Sequence, residues 1–357
     1  MQARTLRNSA GASSQGWLLG AQDSGFDGVD VKESRREEQA GFSTMDESEK
    51  TGVPGTSRSN RLLIVDGHCY AYRAFFAIRS LVSPQGQATN AIYGFIRMLA
   101  KVQSLVQPSH IIVVWDGGLA KERMTLLPEY KAQRAEMPAD LEAQLDQIVS
   151  YLHAANVTSW MKEGCEADDC IACLTARSLE KGWMVVIASS DKDFMQLAGP
   201  QVKLLNPNDK TPALWEAREV KLKTGVEPRQ IVDWLSLTGD SVDNIPGVPG
   251  VGQKTATQLI NQFGSVEELY RRLAEVSSER LRTSLEQSRE VVRRNQQMVR
   301  LYADVGCEDS LEAMTVKSPD REQLRQLFAG WGFKKLLAEL EQSQLASLPE
   351  FNLTKTV

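Results

Sequence analysis

Leu62-Leu63-Ile64-Val65-Asp66-Gly67 is the stretch that decides the fold class. Four consecutive apolar residues closed by an acid and a glycine read as a short strand buried on both faces. His110 to Trp115 repeats the pattern and runs into Asp116-Gly117. Met184 to Ala188 repeats it again, just before Asp191-Lys192-Asp193. Between these runs the spacing predicts helices over 89–106, over 139–154, and from Glu166 to about Lys181. Acids in the first turn of the third helix suit its dipole. Strands alternating with helices imply an α/β fold with a mainly parallel sheet flanked by helices. After about Glu216 the pattern becomes mostly helical, as for a smaller module packed on the sheet.

The acids stand where strands end and helices begin. Asp66, Asp116, Glu166, Asp168, Asp169, Asp191, Asp193, Asp240 and Asp243 are nine carboxylates at element boundaries. Strand ends converge on one rim of an open sheet, where such folds bind ligands. Carboxylates gathered there repel one another unless cations sit between them. Oxygen donors without convergent His or Cys select Mg²⁺ or Mn²⁺ over Zn²⁺. Two such ions are the usual apparatus for hydrolysing phosphodiesters. Glu166 and Asp169 lie three apart and share a helix face, while Asp168 points elsewhere on the same turn. Each cluster alone reads equally well as helix caps and solvated turns; their repetition at boundaries favours a site.

Composition sets bounds. The chain has 357 residues and a net charge of −5, so any polyanion must meet local basic patches. No apolar run approaches the roughly 20 residues that span a bilayer, so no membrane role is expected. Five cysteines, Cys69, Cys165, Cys170, Cys173 and Cys307, form no disulfide pattern and suggest a reducing, cytoplasmic setting. Cys165, Cys170 and Cys173 read as buried thiols rather than metal ligands. Residues 1–60 are rich in Ser, Gly, Asp, Glu and Arg and lack apolar periodicity, which reads as a disordered extension. Arg4 and Arg7 among serines leave organellar targeting open, and Met45 is an alternative start.

Three further stretches carry information. Asn244-Ile-Pro-Gly247-Val-Pro-Gly250-Val-Gly252-Gln-Lys254-Thr255 nearly spells a P-loop, but its lysine comes one residue late and no buried strand precedes it. A helix–hairpin–helix turn fits better: glycines let backbone approach a phosphate and the next helix aims free N–H groups at it. Carbonyls of such a turn can also hold K⁺. Residues 119–138 carry Lys121, Arg123, Tyr130, Lys131 and Arg134, cations with one aromatic, as in elements that grip a strand and stack a base. Residues 271–300 hold eight arginines and four glutamates, which fits either a duplex-following helix or a salt-bridged surface.

Asp66, Asp116, Glu166-Ala-Asp-Asp169, Asp191-Lys-Asp193 and Gly239-Asp-Ser-Val-Asp-Asn-Ile-Pro-Gly-Val-Pro-Gly-Val-Gly-Gln-Lys-Thr-Ala256 closely resemble the 5′ nuclease domain of bacterial DNA polymerase I, which belongs with the flap endonucleases. The resemblance runs in order from about Leu62 to Leu340, including Pro128-Glu-Tyr-Lys-Ala-Gln-Arg134 and Leu327-Phe-Ala-Gly-Trp-Gly-Phe333. It implies a PIN-like nuclease core over 61–216 with a helical arch at 119–138, a helix-three-turn-helix and helical region over 217–345, and a tail over 346–357. It implies Mg²⁺-dependent hydrolysis near a 5′ end. Asp66, Asp116, Glu166 and Asp168 match a first metal site; Asp169, Asp191, Asp193, Asp240 and Asp243 match a second. Arg123, Lys131 and Arg134, with Tyr130, match the arch that clamps the scissile phosphate. Gly247, Gly250, Gly252, Lys254 and Thr255 match the turn that grips duplex. Expected substrates are DNA with 5′ ends, flaps or nicks, and RNA primers, met by a stand-alone monomer in the bacterial nucleoid.

Two departures concern detail. Glu122 stands where an aromatic is frequent, and Gly67-His68-Cys69 where small hydroxyl residues are common. Neither removes an acid. His68 beside Asp66 reads as a packing or DNA-contacting residue, since a two-metal site needs no imidazole base. A non-catalytic DNA-binding module has no use for acids that repel phosphate, and the duplex-gripping turn disfavours a PIN-type ribonuclease.

Overall fold

The run Leu62–Val65 forms the interior of strand β1, Arg61–Asp66, at the middle of a six-stranded sheet. The others are β2 (His110–Trp115), β3 (Thr158–Met161), β4 (Met184–Ala188), β5 (Val202–Leu205) and β6 (Leu214–Trp215), in the order β3-β2-β1-β4-β5-β6. All pairs are parallel except β5 with β6. Helices α1 (Gly67–Ala77), α2 (Asn90–Val106), α3 (Lys121–Leu126), α4 (Ala139–Ala154) and α5 (Ala167–Glu180) connect the strands. The computed structural model describes residues 60–209, 212–307 and 310–346. The expected extension and tail lie outside the described residues, apart from Asn60 and Ala346.

Side chains alternate across β1, and the two faces meet different cores. Leu62 and Ile64 pack with Ile112, Val114, Ile171 and Leu174; Leu63 and Val65 pack with Phe95, Leu99 and Ile148. All four β1 aliphatics are fully buried. At roughly 1.5–3 kcal/mol each, their burial is comparable to the whole net stability of a typical domain. A sheet covered on both faces has no polar face, so its strands show as unbroken apolar runs.

The chain beyond Glu216 is helical: α6 (Ala217–Thr224), α7 (Ile231–Thr238), α8 (Gln253–Phe263), α9 (Val266–Arg271), α10 (Glu279–Gln287), α11 (Arg289–Met298), α12 (Arg321–Trp331) and α13 (Lys334–Ala346). A two-stranded ribbon, β7 (Gly239–Asp240) and β8 (Ile245–Pro246), separates α7 from α8. Helices α7 to α11 share the core of α5, whereas α12 returns to the opposite face, where Phe328 stacks near Tyr151.

Gly117 fixes how β2 hands over to the start of α5. Its N–H donates to the Cys165 carbonyl and its own carbonyl accepts from the Gly164 N–H. A Cβ on Gly117 would lie 1.7 Å from the Lys162 carbonyl oxygen. Gly330, in contrast, is an exposed helical glycine with open space around it. Gly117→Ala should therefore lower stability by about 1–3 kcal/mol or more through forced backbone displacement. Gly330→Ala should raise it by about 0.5–1 kcal/mol through the unfolded chain. Urea melts of the two variants will show opposite signs if the packing is as described.

Candidate active site and nucleic-acid interface

The strand order reverses direction between β1 and β4, and open sheets bind ligands at that crevice. Asp66 ends β1, Asp116 follows β2, and Asp191 follows β4 by three residues. Each is pinned by its own loop. Asp66 Oδ1 accepts from the Cys69 N–H at 3.0 Å, and Ser189 Oγ donates to Asp66 Oδ2 at 2.8 Å. Asp116 Oδ1 accepts from the Gly118 N–H at 2.9 Å, and Asp191 Oδ1 from the Asp193 N–H at 2.8 Å. Glu166 occupies the cap position of α5, which sets Asp168 and Asp169 on its first turn. Asp240 ends β7, accepting from the Val242 N–H at 3.0 Å and from Lys192 Nζ at 3.2 Å.

Burial and mutual repulsion make five of these acids reluctant to ionise. Burial pushes Asp66 up to about 7, with Asp191 and Asp116 adding to the rise. Burial likewise brings Asp116 to about 6, aided by Glu166 and opposed by Lys131. Asp191 is raised to about 6 by burial, with Asp243 and Asp240 adding. Asp168 and Asp193 are held well above the carboxylate range by burial and by Asp191. Asp191 thus feels two groups of acids, one around Asp66 and Asp168 and one around Asp193, Asp240 and Asp243.

The donor set suits a hard divalent cation. Every candidate donor is a carboxylate oxygen, and Asp193 Oδ1 is buried with no hydrogen-bond partner among the described residues. As placed, no three His, Cys, Asp or Glu side chains of the described residues close on one ion.

The cationic segment departs from expectation. Residues 119–138 contain the six-residue α3 and a turn folded down on the acids, with the Lys131 N–H donating to the Asp243 carbonyl at 3.0 Å. Arg123 was expected to face phosphate, yet it is 3 % exposed. Nε donates to the Met298 carbonyl, Nη1 to Glu166 and Asp169, and Nη2 to Asp169 and the Arg300 carbonyl. All five of its N–H donors are engaged inside the protein. Asp169 is correspondingly corrected: both its oxygens meet Arg123, and Oδ1 also accepts from the Tyr302 N–H at 2.9 Å, so its oxygens are taken up by protein donors. Lys131 Nζ lies 2.5 Å from Glu166 Oε2, and Arg134 Nη2 lies 2.5 Å from Asp243 Oδ1. Tyr130 is buried rather than free to stack, its hydroxyl donating to Glu166 Oε2 at 3.0 Å. Burial alone would raise Glu166, but Lys131 and Arg123 outweigh it and hold Glu166 at about 2. The physical reason for the departure is that a cation beside uncompensated acids lowers the energy most by pairing with them.

The turn between α7 and α8 is largely at the surface. Gly250, Gly252 and Lys254 are exposed, and Gly247 and Thr255 are half-buried. Gly250 has φ +82°, which favours glycine. Gly239 and Gly247 meet back to back, so that a Cβ on Gly247 would lie 2.2 Å from the Thr238 carbonyl oxygen. Val248 and Val251 anchor the loop, and Asn295 Nδ2 donates to the Ser236 and Pro246 carbonyls. Lys254 makes no ion pair among the described residues. Two arginines of the arginine-rich stretch are paired with nearby acids, Arg271 with Glu268 and Arg272 with Glu275.

Sequence reasoning missed Ser189 and Lys192, which hold Asp66 and Asp240. Their signal was available: both lie within two residues of Asp191. His68 packs edge-on against Trp115, and its Nδ1 accepts from the Asp116 N–H, while burial holds its pKa down to about 4. All five cysteines are buried and free.

An acid-lined crevice at the switch point, beside a glycine turn that opens a helix, defines a nuclease-type α/β architecture. The family model described as 5′-3′ exonuclease, N-terminal resolvase-like domain, matches residues 61–225, and the model described as 5′-3′ exonuclease, C-terminal SAM fold, matches residues 226–322. A 5′-3′ exonuclease of Aquifex aeolicus (strain VF5) is 37% identical over 282 residues, which cover 79% of this chain and 95% of that protein. DNA polymerase I of Bacillus caldotenax is 38% identical over 285 residues, 79% of this chain but 32% of that protein, so the chain spans about a third of that relative. In fold it is similar to the bacteriophage T5 D15 protein co-crystallised with metal ions, with a TM-score of 0.57, 20% identity, and coverage of 80% of this chain and 99% of that one. It is also similar to the catalytic core of Rad2 in complex with DNA substrate, with a TM-score of 0.53, 16% identity and coverage of 80% and 93%. The chain belongs to the 5′-3′ exonuclease family.

A buried strut and a surface contact behave differently on truncation. Arg123→Ala leaves the buried Asp169 carboxylate without its cation and takes a donor from two carbonyls, and should cost about 3–5 kcal/mol. Lys254→Ala should stay within about 0.5 kcal/mol of the parent. Thermal denaturation of both variants measures this, and an Arg123→Ala protein as stable as its parent would return Arg123 to a surface role.

Proposed function

We propose that the chain is a structure-specific 5′→3′ exonuclease and flap endonuclease, hydrolysing DNA phosphodiesters near 5′ ends with two divalent cations, Mg²⁺ or Mn²⁺. The observation that carries this reading is the placement of Asp66, Asp116 and Asp191 at the ends of neighbouring parallel strands at the switch point, with Asp168 and Asp193 beside them, Asp66 buried and the other four half-buried. Asp66, Asp116 and Asp168 would hold one cation, joined by Glu166 once Lys131 leaves it. Asp191, Asp193, Asp240 and Asp243 would hold the other, some through water. Bound there, a cation pair supplies a hydroxide-like nucleophile at neutral pH and charge stabilisation for the leaving oxygen.

The chain's own residues do the rest. Ser189 and the Cys69 amide orient Asp66, and Lys192 orients Asp240. Lys131 and Arg134 sit beside the crevice, and incoming phosphate oxygens compete for them with Glu166 and Asp243. The exposed start of α8 and Lys254 grip a duplex phosphate away from the chemistry, and K⁺ on the turn's carbonyls belongs to the same proposal. The substrate scope includes flaps, nicks and RNA primers, met by a monomer in primer removal and repair. The naming of the Aquifex relative and the metal-ion and DNA complexes of the T5 and Rad2 proteins support this reading.

Labelled flap, nicked and single-stranded DNA, with and without Mg²⁺, test it. Cleavage leaving 5′-phosphate and 3′-hydroxyl ends should require the cation, while duplex binding persists in EDTA. Full-rate nucleotide release in EDTA would sink the reading. Lys254→Ala should weaken binding and reduce the salt slope by about one phosphate contact.

Proton linkage gives a second readout. Asp66, at about 7, and Asp116 and Asp191, at about 6, are part-protonated near pH 6 in the cation-free protein. Their raised values mean that they destabilise the fold as pH rises through them. Mg²⁺ uptake should therefore release more protons at pH 6 than at pH 8.5. Calorimetry in buffers of different ionisation heat measures the release; equal release at both pH values would contradict the assignment.

A further inference from the structure

Cys165 and Cys170 flank the start of α5, which carries Glu166, Asp168 and Asp169. Cys165 precedes the cap residue and Cys170 is the fourth helical residue, the two positions where apolar side chains ordinarily staple a helix entry. Here both are thiols, with their sulfurs 3.2 Å apart and both side chains buried. Cys307, from the loop after α11, approaches the same spot, its Sγ 3.8 Å from the Cys170 carbonyl oxygen. Two thiols in contact have the capacity to lose two electrons together. Chelation does not account for the cluster, since no three such side chains of the described residues close on one ion.

We propose that Cys165 and Cys170 are a redox modification site, closing into a reversible disulfide under hydrogen peroxide and locking the first turn of α5. The chemistry balances in two steps. Peroxide oxidises one thiol to a sulfenic acid and leaves as one water. The second sulfur then displaces that hydroxyl, forming the S–S bond and releasing a second water. The sulfurs need move only from 3.2 Å to about 2.05 Å. Between them lie Glu166 and Asp168, so the bond restrains the backbone that sets those acids. The bearing of this lock on catalysis rests on the function proposed above; the readouts below do not.

Full-length protein would be treated with peroxide, unfolded, alkylated and digested with trypsin. The peptide Glu163–Arg177 holds Cys165, Cys170 and Cys173. It should lose two hydrogens and carry one alkyl group, at Cys173, and dithiothreitol should restore three alkylation sites. Hydrogen exchange across this peptide should slow about tenfold in the oxidised form, as expected when a local opening is closed off. Cys165→Ala should abolish both effects and Cys173→Ala neither. A peptide that stays fully alkylated, a disulfide to Cys307 instead, an overoxidised sulfur that dithiothreitol does not reduce, or unchanged exchange would each overturn the proposal.

Discussion

Asp66 and Asp191 lie at the carboxyl ends of two hydrogen-bonded parallel strands, where Val65 pairs with Ala188, Asp66 is buried and Asp191 half-buried. Burying like charges together costs more than any single contact in the fold returns. The protein answers in two ways. Glu166, Asp169, Asp243 and Asp240 receive built-in cations from Lys131, Arg123, Arg134 and Lys192. Asp66, Asp116, Asp168, Asp191 and Asp193 make no such ion pair among the described residues and are instead driven toward the protonated form. The uncompensated set is where an external cation would gain most, and that division, rather than the count of acids, is the ground for the proposed cation sites.

The same cations hold the two halves of the chain together. Arg123 ties α3 to the first turn of α5 and to the backbone after α11 in one guanidinium. The ribbon of β7 and β8 carries Asp240 and Asp243 toward the crevice and ends in the turn that opens α8. Because Gly239 and Gly247 leave no room for a Cβ, the distance between acids and turn is set by backbone contact. A duplex held at that turn and a phosphate held at the crevice would therefore be positioned by one rigid piece.

Much of this was legible in the residues, for physical reasons. Strands β1, β2 and β4 are covered on both faces and show as apolar runs, and α2, α4 and α5 follow their predicted spans within a residue or two. Strand β3 is a half-exposed edge without such a run, and β5 and α1 carry mixed patterns, so they gave no comparable signal. Acids at strand ends are visible because a strand end is a local event. The partners of Arg123, Lys131 and Arg134 are not visible. Glu166 lies 35 residues from Lys131, and Asp243 lies 109 from Arg134, so the local cluster shows the charge without what neutralises it.

The most direct test of the uncompensated charge is the stability of Asp191→Asn in EDTA at pH 8. Asparagine keeps an oxygen to accept from the Asp193 N–H and removes a charge whose folded pKa of about 6 lies above its unfolded value. At pH 8 that charge destabilises the fold in full. The variant should melt higher than its parent without cation, and added Mg²⁺ should stabilise it less than it stabilises the parent. A variant that melts lower in EDTA, and gains as much from Mg²⁺ as the parent does, would show that Asp191 serves the fold and not a cation.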